Sequence, residues 1–435
     1  MKRLRTGFGA PAEVAAKPPP RNPVARFFSV LGPGLITGAA DDDPSGIVTY
    51  SIAGAQLGLT MLWTALLTFP LMCAVQMMCA RVGMVSGVGL AAALRKKFPR
   101  PVLMIIALAL FLANAINIGA DLDGMADVTL LLTGISKRIV VIVFGVGILF
   151  GTVYIRYARL AAVFKWLAAV LFAYVITAFL VKPDWPHVLA ATFTPSWPRG
   201  HDQWSTLVAI LGTTISPYLF FWQASQEIEE EKKKGHRSAA SRRGASEEEI
   251  KLRKLDVGTG GFFSNLIMYF IILTTALTLN AHGVTHIQTT KDAVAALEPL
   301  AGRFAALLFA FGIIGVGFLA IPTLAGSAAY VFTEVFGFRQ GLDEKLSRAR
   351  AFYGVMGVSI LVGIALTYSN VSPMDALFLT AVINGVLAPF LLVGILLVAC
   401  DDRIMQGQPS SMLGRTVVAI TALGMAFAAV ALFLL

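Results

Sequence analysis

Long apolar segments, each near 20 residues or more, recur along the chain and are separated by short polar stretches. About 20 apolar residues in a helix are long enough to cross the ~30 Å hydrocarbon core of a bilayer. The pattern predicts an all-α integral membrane protein with multiple passes. Its eleven predicted spans are residues 26–57, 60–82, 101–131, 138–156, 159–181, 203–228, 256–281, 302–337, 348–368, 375–399 and 413–435.

The composition supports this prediction and excludes several other classes. The chain is 57% hydrophobic and 14% charged, whereas a soluble protein carries about 25% charged residues. Cys73, Cys79 and Cys400 lie in or beside apolar segments and are expected to be small buried hydrophobic residues. Their spacing predicts neither a disulfide framework nor a zinc site, and no nucleotide-binding loop or hydrolase nucleophile motif occurs.

The basic residues indicate how the chain is oriented. If the N-terminus is cytoplasmic, all but six of the 35 Lys and Arg residues fall on the cytoplasmic side. This asymmetry follows the positive-inside rule and, with an odd number of spans, predicts an extracytoplasmic C-terminus. The net charge of +10 is therefore read as a topology signal in the plasma (inner) membrane, with no nucleic acid as partner. The six exceptions are Lys137, Arg138, Lys182, Arg199, Lys291 and Arg303.

Two polar segments lie outside the predicted spans. Residues 1–25 are basic and proline-rich, and are expected to form a disordered cytoplasmic N-terminus. Residues 229–254 have mixed charge and are expected to form a cytoplasmic loop, partly helical at most. A solvated linker is the plain interpretation of this loop, and a regulatory or partner-binding segment is the alternative.

Spans 1 and 6 share an interruption. Span 1 contains "GLITGAADDDPSGIVTY" (34–50) and span 6 contains "LGTTISPYLFFW" (211–222), each with small polar residues followed by a proline. Proline removes a backbone donor and clashes with the preceding turn, so both helices are expected to unwind mid-membrane. Because the two spans run in opposite directions, they predict a 5+5 inverted repeat, with residues 26–181 and 203–399 as its halves and 413–435 added.

The carboxylates Asp41, Asp42 and Asp43 stand at the first interruption. Unwound backbone in a membrane is tolerated where it lines a cavity, and a carboxylate there marks an ion pathway. We therefore expect Asp43 to bind a cation together with freed carbonyls and hydroxyls. Asp41 and Asp42 join the site, line a water-filled vestibule or pair with basic residues. Alternatively, the whole run is solvated at the membrane surface, although that leaves only residues 27–40 as a span. For Pro217, a plain packing kink remains open.

The segment "LGPGLITGAADDDPSGIVTYSIAGAQLG" resembles the first transmembrane segment of the Nramp divalent metal transporters, whose motif reads Asp-Pro-Gly-Asn. The resemblance implies the LeuT-type fold and import of manganese or ferrous iron, commonly coupled to protons. Carried over residue by residue, it places the metal at Asp43 and the Ala40 carbonyl, with Gly46 at the Asn position. On span 6, Thr213 stands at an Ala position, Ser216 replaces Met and Tyr218 replaces His.

These departures change the expected chemistry. A Met thioether favours soft transition metals, so Ser216 leaves an all-oxygen site. Gly46 and Ser216 also enlarge the cavity, which suits Mg²⁺ that keeps part of its hydration shell. The pattern therefore looks like the Nramp-related magnesium transporters, with Mn²⁺ also accepted as a transported ion and no cofactor expected. Further cavity-lining candidates are Asp41, Asp42, Ser45, Tyr218, Gln223 and Asn384.

Proton coupling is disfavoured by the residues available. Span 3 offers Asn114 and Asn117, which do not titrate, before Asp121 and Asp123 near its outer end. No ladder of histidines and carboxylates is evident through the spans, so uncoupled import is expected. Proton release from Asp43 itself on metal binding stays open.

Several weaker candidates accompany these residues. Gln223, Gln226 and Glu227 either line an exit path or solvate a helix end. Asn384 and Gly385 either line the pore or pack. Phe220, Phe221 and Trp222 are expected to face lipid or to pack.

Other functions remain as alternatives to uncoupled Mg²⁺ import. They are a proton-coupled Mn²⁺ or Fe²⁺ importer, a sodium-coupled carrier of organic substrates, and a membrane-embedded Mg²⁺ sensor or scaffold that signals through residues 229–254. An enzyme is not expected, because no nucleophile–base pair occurs in the spans. The expected partners are the metal ion and the lipid bilayer. The oligomeric state is left open, with a monomer plausible.

Overall fold

The computed structural model describes residues 33–155, 169–287, 289–368 and 372–434, and within these ranges it contains helices and turns but no β-strand. The helices of the first half are α1 (Pro33–Asp41), α2 (Pro44–Leu57), α3 (Trp63–Ser86), α4 (Leu90–Leu94), α5 (Arg100–Thr133), α6 (Lys137–Tyr154), α7 (Phe172–Leu180) and α8 (Trp185–Phe193). Those of the second half are α9 (His201–Thr214), α10 (Pro217–Lys233), α11 (Glu247–Thr278), α12 (Thr290–Ala295), α13 (Glu298–Ala301), α14 (Ala305–Phe336), α15 (Arg350–Leu366), α16 (Pro373–Ala399) and α17 (Met412–Leu434).

These helices reproduce the predicted spans wherever the chain is described. Eight helical segments are long and apolar enough to cross a membrane. Two shorter apolar helices, at 169–180 and α15, together with the broken pair α1–α2, occupy the other predicted positions. Residues 26–32 and 159–168 of the predicted spans, and the N-terminal segment 1–25, lie outside the described residues.

Both predicted interruptions are present, and they meet. The first separates α1 from α2 at Asp42 and Asp43, and the second separates α9 from α10 at Ile215 and Ser216. The Tyr218 hydroxyl of α10 donates to the Ala40 carbonyl of α1, with an O···O distance of 2.9 Å. The two broken helices therefore face each other at their breaks, as an inverted repeat requires.

The segment 229–254, predicted as a cytoplasmic loop that is partly helical at most, contains helix at both of its ends. Helix α10 continues to Lys233 and α11 begins at Glu247, so the turns between them cover only 234–246. Helix α11 starts there because Ser246 and Glu249 form a capping box, which satisfies free backbone donors at the helix start. The charged helical turns are tolerated because their side chains form ion pairs, which a hydropathy pattern does not reveal.

Two smaller expectations are also decided by burial. Phe220, Phe221 and Trp222 are buried, so the packing alternative is confirmed and the lipid-facing one is wrong. The Trp222 and Tyr330 rings pack edge-on at 6.3 Å. Cys79 is buried as expected, whereas Cys400 is exposed in the turn that follows α16.

Helices α1 and α11 approach each other at glycines. A Cβ atom added to Gly38 would lie 2.5 Å from the backbone of Gly260, and one added to Gly34 would lie 2.7 Å from the nitrogen of Val257. Only glycine permits this backbone contact, because any side chain would occupy the same space. The half-helix before the first break is thereby seated closely on α11.

Candidate functional site

The two prolines free two backbone carbonyls at the breaks. In an α-helix, the carbonyl of residue i accepts from the N–H of residue i+4. Residue i+4 is Pro44 for Ala40 and Pro217 for Thr213, and proline has no N–H to donate. Ala40 is the position at which a carbonyl ligand was predicted, and Thr213 was predicted as a site residue without a named ligand atom. Their carbonyls are therefore available to other partners for a local covalent reason.

In the structure, hydroxyl groups donate hydrogen bonds to these two carbonyls. Tyr218 donates to the Ala40 oxygen at 2.9 Å, and Ser216 donates to the Thr213 oxygen at 2.6 Å. The Ser216 hydroxyl also lies 3.0 Å from the Gly212 oxygen. A cation at the breaks would replace these hydroxyl donors, because a cation and an O–H group bind the same carbonyl lone pairs.

Asp43 stands at the start of α2 and accepts from several donors. Its Oδ1 accepts from the Gly46 N–H at 2.8 Å and from the Ser45 hydroxyl at 2.6 Å. Its Oδ2 lies 3.2 Å from the Asn117 amide nitrogen and 3.4 Å from the Tyr218 hydroxyl. These contacts fix the carboxylate beside the Ala40 carbonyl, because the Tyr218 hydroxyl reaches both groups.

Gly46 and Thr213 line the same space from opposite helices. A Cβ atom on Gly46 would lie 3.0 Å from the Thr213 hydroxyl oxygen and 3.5 Å from Asp43 Oδ1. Gly46 therefore contributes space and a backbone N–H that donates to Asp43. It has no side chain, so it offers no side-chain ligand at that position. The oxygen-bearing groups around this space are the Asp43 carboxylate, the Thr213 hydroxyl and the freed carbonyls.

The site is closed to both sides of the membrane in this structure. Asp43, Ala40, Thr213 and Ser216 are each 1% exposed. A carboxylate buried to this degree is costly unless it is hydrogen-bonded or carries a cation or proton. This burial describes an occluded arrangement.

Asp41 and Asp42 point to a different helix. The Ser264 hydroxyl of α11 lies 2.7 Å from Asp41 Oδ2 and 3.1 Å from Asp42 Oδ1. Both aspartates are at most 5% exposed, so a solvated surface position for the run is wrong. Their partner is a serine on α11 rather than a basic residue, and Asp43 alone of the three contacts Tyr218 and Asn117.

Helix α5 brings residues to the site that the sequence did not single out as ligands. Asn117 donates to Asp43 Oδ2. Asp121, one turn further on, is buried beside the Ser45 backbone and close enough to Asp43 for their charges to interact. Asp121 was expected near the outer end of this span and was not assigned to the site. The four-residue spacing of Asn117 and Asp121 on one helix face was visible in the sequence, but the neighbour of that face was not.

The remaining candidates take other positions. Asp123 pairs with Lys137 at 2.8 Å near the outer end of α5. The Gln223 amide bonds to Thr37 and Glu227 rather than to Asp43. Gly385 of α16 packs against α9, since a Cβ there would lie 2.3 Å from the Val208 oxygen. Asn384 is buried beside it, and its role as a cavity-lining residue stays a prediction.

The amino-acid sequence of the chain is similar to those of known metal transporters. A family model described as "Nramp: Natural resistance-associated macrophage protein-like" matches residues 34–435. A divalent metal cation transporter MntH from Caldanaerobacter subterraneus subsp. tengcongensis is 25% identical over 387 residues, which cover 88% of this chain and 87% of that relative. The MntH of Agrobacterium fabrum is 26% identical over 348 residues, or 78% and 73% of the two chains.

Solved structures show the same fold. A manganese transporter from Eremococcus coleocola superposes with a TM-score of 0.73 at 18% identity, covering 96% of this chain and 89% of that one. MhsT, solved with L-phenylalanine, superposes with a TM-score of 0.58 at 13% identity, covering 92% and 97%. The predicted LeuT-type fold, a 5+5 inverted repeat with helices 1 and 6 unwound and an eleventh helix added, is thereby confirmed.

Proposed function

Because the chain belongs to the Nramp family, we propose that it transports divalent metal cations across the membrane, with Mg²⁺ as its main substrate, and that it does so without proton coupling. Mn²⁺ is accepted as a second substrate. The site that carries this transport consists of Asp43, the Ala40 carbonyl, Thr213 and Ser216, with Gly46 providing space. Transport proceeds by alternating opening of the two sides around this occluded centre.

One observation supports Mg²⁺ most directly: the side-chain and carbonyl groups proposed as metal ligands at the two breaks all offer oxygen atoms. A carboxylate, two proline-freed carbonyls and the hydroxyls of Thr213 and Tyr218 suit a hard cation. At the positions where the family motif has Asn and Met, this chain has Gly46 and Ser216. Both residues are small, so an ion here has room to keep water ligands, which Mg²⁺ surrenders reluctantly.

The membrane potential is a sufficient driving force for import of such an ion. Moving one charge across 100 mV releases about 2.3 kcal/mol, and a divalent cation gains about twice that. This corresponds to an inward accumulation of more than about a thousandfold at equilibrium. Coupling to protons is therefore not required by energetics.

The test is uptake into proteoliposomes that contain a Mg²⁺-sensitive dye, with a pH-sensitive dye in parallel vesicles. We expect potential-driven Mg²⁺ influx without acidification, and loss of that influx in the isosteric variant Asp43→Asn. Ser410→Ala, a change of a buried serine beyond α16 and away from the site, serves as the folded control. Saturable Mg²⁺ binding with no flux would identify a sensor or scaffold instead.

A proton-coupled Mn²⁺ importer is the second candidate, and the position of Asp121 favours it. A second buried carboxylate near Asp43 supplies a group that can exchange a proton as the cation binds. In that case, Mn²⁺ influx acidifies the vesicles and Asp121→Asn abolishes the acidification while leaving Mn²⁺ binding in place. Under the main proposal, Asp121→Asn changes neither the pH signal nor the dependence of uptake on external pH.

A further inference from the structure

A buried arginine lies at the predicted cytoplasmic end of the bundle and contacts three carboxylates. Arg253 of α11 is 8% exposed. Its Nε lies 2.8 Å from Glu227 Oε1, its Nη1 lies 2.5 Å from Asp256 Oδ2, and its Nη2 contacts Glu230. One guanidinium thus pairs with carboxylates from both α10 and α11. Its two Nη atoms donate hydrogen bonds to Asp256 and Glu230, whereas Nε and Glu227 form an ion pair without hydrogen-bond geometry.

Two of these carboxylates, Asp256 and Glu227, are each connected to α1 by hydrogen bonds. Asp256 Oδ2 accepts the backbone N–H of Gly34 at 2.8 Å. Glu227 Oε1 accepts from the Gln223 amide at 2.7 Å, and Gln223 Oε1 accepts from the Thr37 hydroxyl at 2.7 Å. Gly34 and Thr37 lie one turn apart on α1. The half-helix that precedes the metal site is therefore held at two points by one arginine.

The close contact between α1 and α11 depends on the position in which these hydrogen bonds hold α1. Gly34 and Gly38 bring the α1 backbone against α11 so closely that no Cβ fits between them. Ser264 of α11 lies further along the same contact and bonds Asp41 and Asp42. Asp41 and Asp42 directly precede Asp43, so this contact runs from the predicted cytoplasmic end of α1 to the residues beside the site.

We propose that Arg253 is a positioning residue that keeps the inner half of the broken first helix closed over the metal site. It acts through Asp256 on Gly34 and through Glu227 and Gln223 on Thr37. Opening the inner side requires these bonds to break, so the arginine sets the balance between occluded and inward-open states. This inference rests on the proposed transport function but not on the identity of the metal.

The direct test measures access to the α1–α11 contact without any metal flux. Ser264→Cys is introduced into a chain in which Cys73 and Cys79 are replaced by Ala and Cys400 by Ser. A membrane-impermeant thiol reagent is then applied from the cytoplasmic face, and the modification rate is measured. We expect slow modification in this parent and modification about tenfold faster with Arg253→Gln, as the loss of a buried charged hydrogen bond implies.

A matched ion pair in the same region provides the control. Lys234 bridges Glu231 of α10 and Glu249 of α11, with N···O distances of 2.8 and 3.7 Å, but this pair does not include α1. Lys234→Gln should leave the modification rate at the parent value. Arg253→Lys, which keeps the charge but fewer donors, should give a rate between the parent and Arg253→Gln.

Thr37→Val provides a second route to the same result if Arg253→Gln does not fold. It removes the hydroxyl that donates to Gln223 while keeping the side-chain shape, and it should speed modification about fivefold. In flux measurements, the same variants should raise the apparent KM for external metal more than they change the maximal rate, because fewer molecules face outward. Unchanged modification rates in folded Arg253→Gln and Thr37→Val would overturn the proposal, whatever the flux assay showed.

Discussion

At the scale of single residues, the site depends on two prolines whose effect lies four residues upstream. Pro44 and Pro217 leave the carbonyls of Ala40 and Thr213 without helical donors. Hydroxyl groups of Tyr218 and Ser216 occupy these carbonyls in the occluded structure. Under the proposed function, cation binding would exchange hydroxyl donors for a metal, which is less costly than freeing carbonyls from paired backbone.

Two small residues are expected to set the metal preference. The double variant Gly46→Asn/Ser216→Met fills the site with an amide and a thioether, and the Gly46 Cβ position faces Thr213 Oγ1 at 3.0 Å. Mg²⁺ uptake should fall about tenfold or more relative to Mn²⁺, because a thioether favours softer ions and the space for retained water is lost. Competition between the two ions in dye-loaded proteoliposomes measures the ratio.

The control for that variant is Gly46→Ala with Ser216 retained. It adds bulk without a donor, so a shift in ion preference of the same size here would assign the effect to volume alone. An unchanged Mg²⁺ to Mn²⁺ ratio in the double variant would contradict the assignment of Gly46 and Ser216 to the site.

Two asparagines of α5 separate a role in the site from a role in packing. Asn117 donates to Asp43 Oδ2, whereas Asn114 donates to the Leu324 carbonyl of α14. Asn117→Ala should raise the KM for metal about fivefold, because the carboxylate loses a donor that orients it. Asn114→Ala should lower thermal stability with little change in KM. Equal effects of both variants on KM would argue against a specific role for Asn117.

At the scale of helices, the decisive contact is that of α1 on α11. The described part of α1 ends at the break, at Asp41. Its position is set by the close glycine contact and by polar links to α10 and α11. A half-helix that ends beside the proposed metal site and is held by such links is suited to move when they are released.

Gly38→Ala should displace α1 from α11. The added Cβ would lie 2.5 Å from the Gly260 backbone, which cannot rotate away. The expected result is a loss of occlusion, seen as faster modification of Ser264→Cys, and a lower melting temperature. A change of about 2 kcal/mol is typical for forced overpacking.

Gly258→Ala on α11 is the matched control, because nothing lies within 4 Å of the Cβ position there. It should be neutral or stabilise the helix by up to about 1 kcal/mol. If Gly38→Ala behaved like Gly258→Ala in both measurements, the close contact would not be what seats α1.

At the scale of the whole molecule, the loops sort into two groups that match the charge-based topology. Lys97 pairs with Asp401 at 2.8 Å, and the Ala245 N–H donates to Gln408 at 3.2 Å. These residues come from three loops that were all predicted to be cytoplasmic. On the other side, Ser196 donates to the Thr60 carbonyl at 2.8 Å, which joins two loops predicted to be outside. The hydrogen bond from Lys97 also lowers the pKa of Asp401, so this carboxylate stays ionised to a more acidic pH than an ordinary aspartate.

The orientation of the bundle can be tested with one native cysteine. Cys400 is exposed in the turn after α16, a loop that the basic residues place in the cytoplasm. In right-side-out vesicles, an impermeant thiol label should miss Cys400 and should react with Thr194→Cys introduced into a Cys400→Ser chain. Permeabilised vesicles provide the positive control. The reverse pattern would place the N-terminus outside.

The sequence by itself determined the helical class, the approximate spans and both breaks, and it predicts Asp43 as the centre of the metal site. These properties are local, because apolar length, proline and a carboxylate in an apolar run each act on their own stretch of backbone. The sequence did not determine where α10 ends or where α11 begins. Charged residues end the apolar pattern there, but the helices continue because these charges pair with residues on other helices. The same reason explains why the ion pair of Glu227 with Arg253 was not foreseen, since Glu227 was expected either to line an exit path or to solvate a helix end.

Only the tertiary structure decided which side chains surround the carboxylates. Asn117 reaches Asp43 across 74 residues of sequence, and Ser264 reaches Asp41 across 223. Asp256 and Gln223, through which Arg253 acts on α1, reach Gly34 and Thr37 across 222 and 186 residues of sequence. Such pairings follow from how the helices cross, and crossing is fixed by the sum of many packing contacts rather than by any motif in the chain.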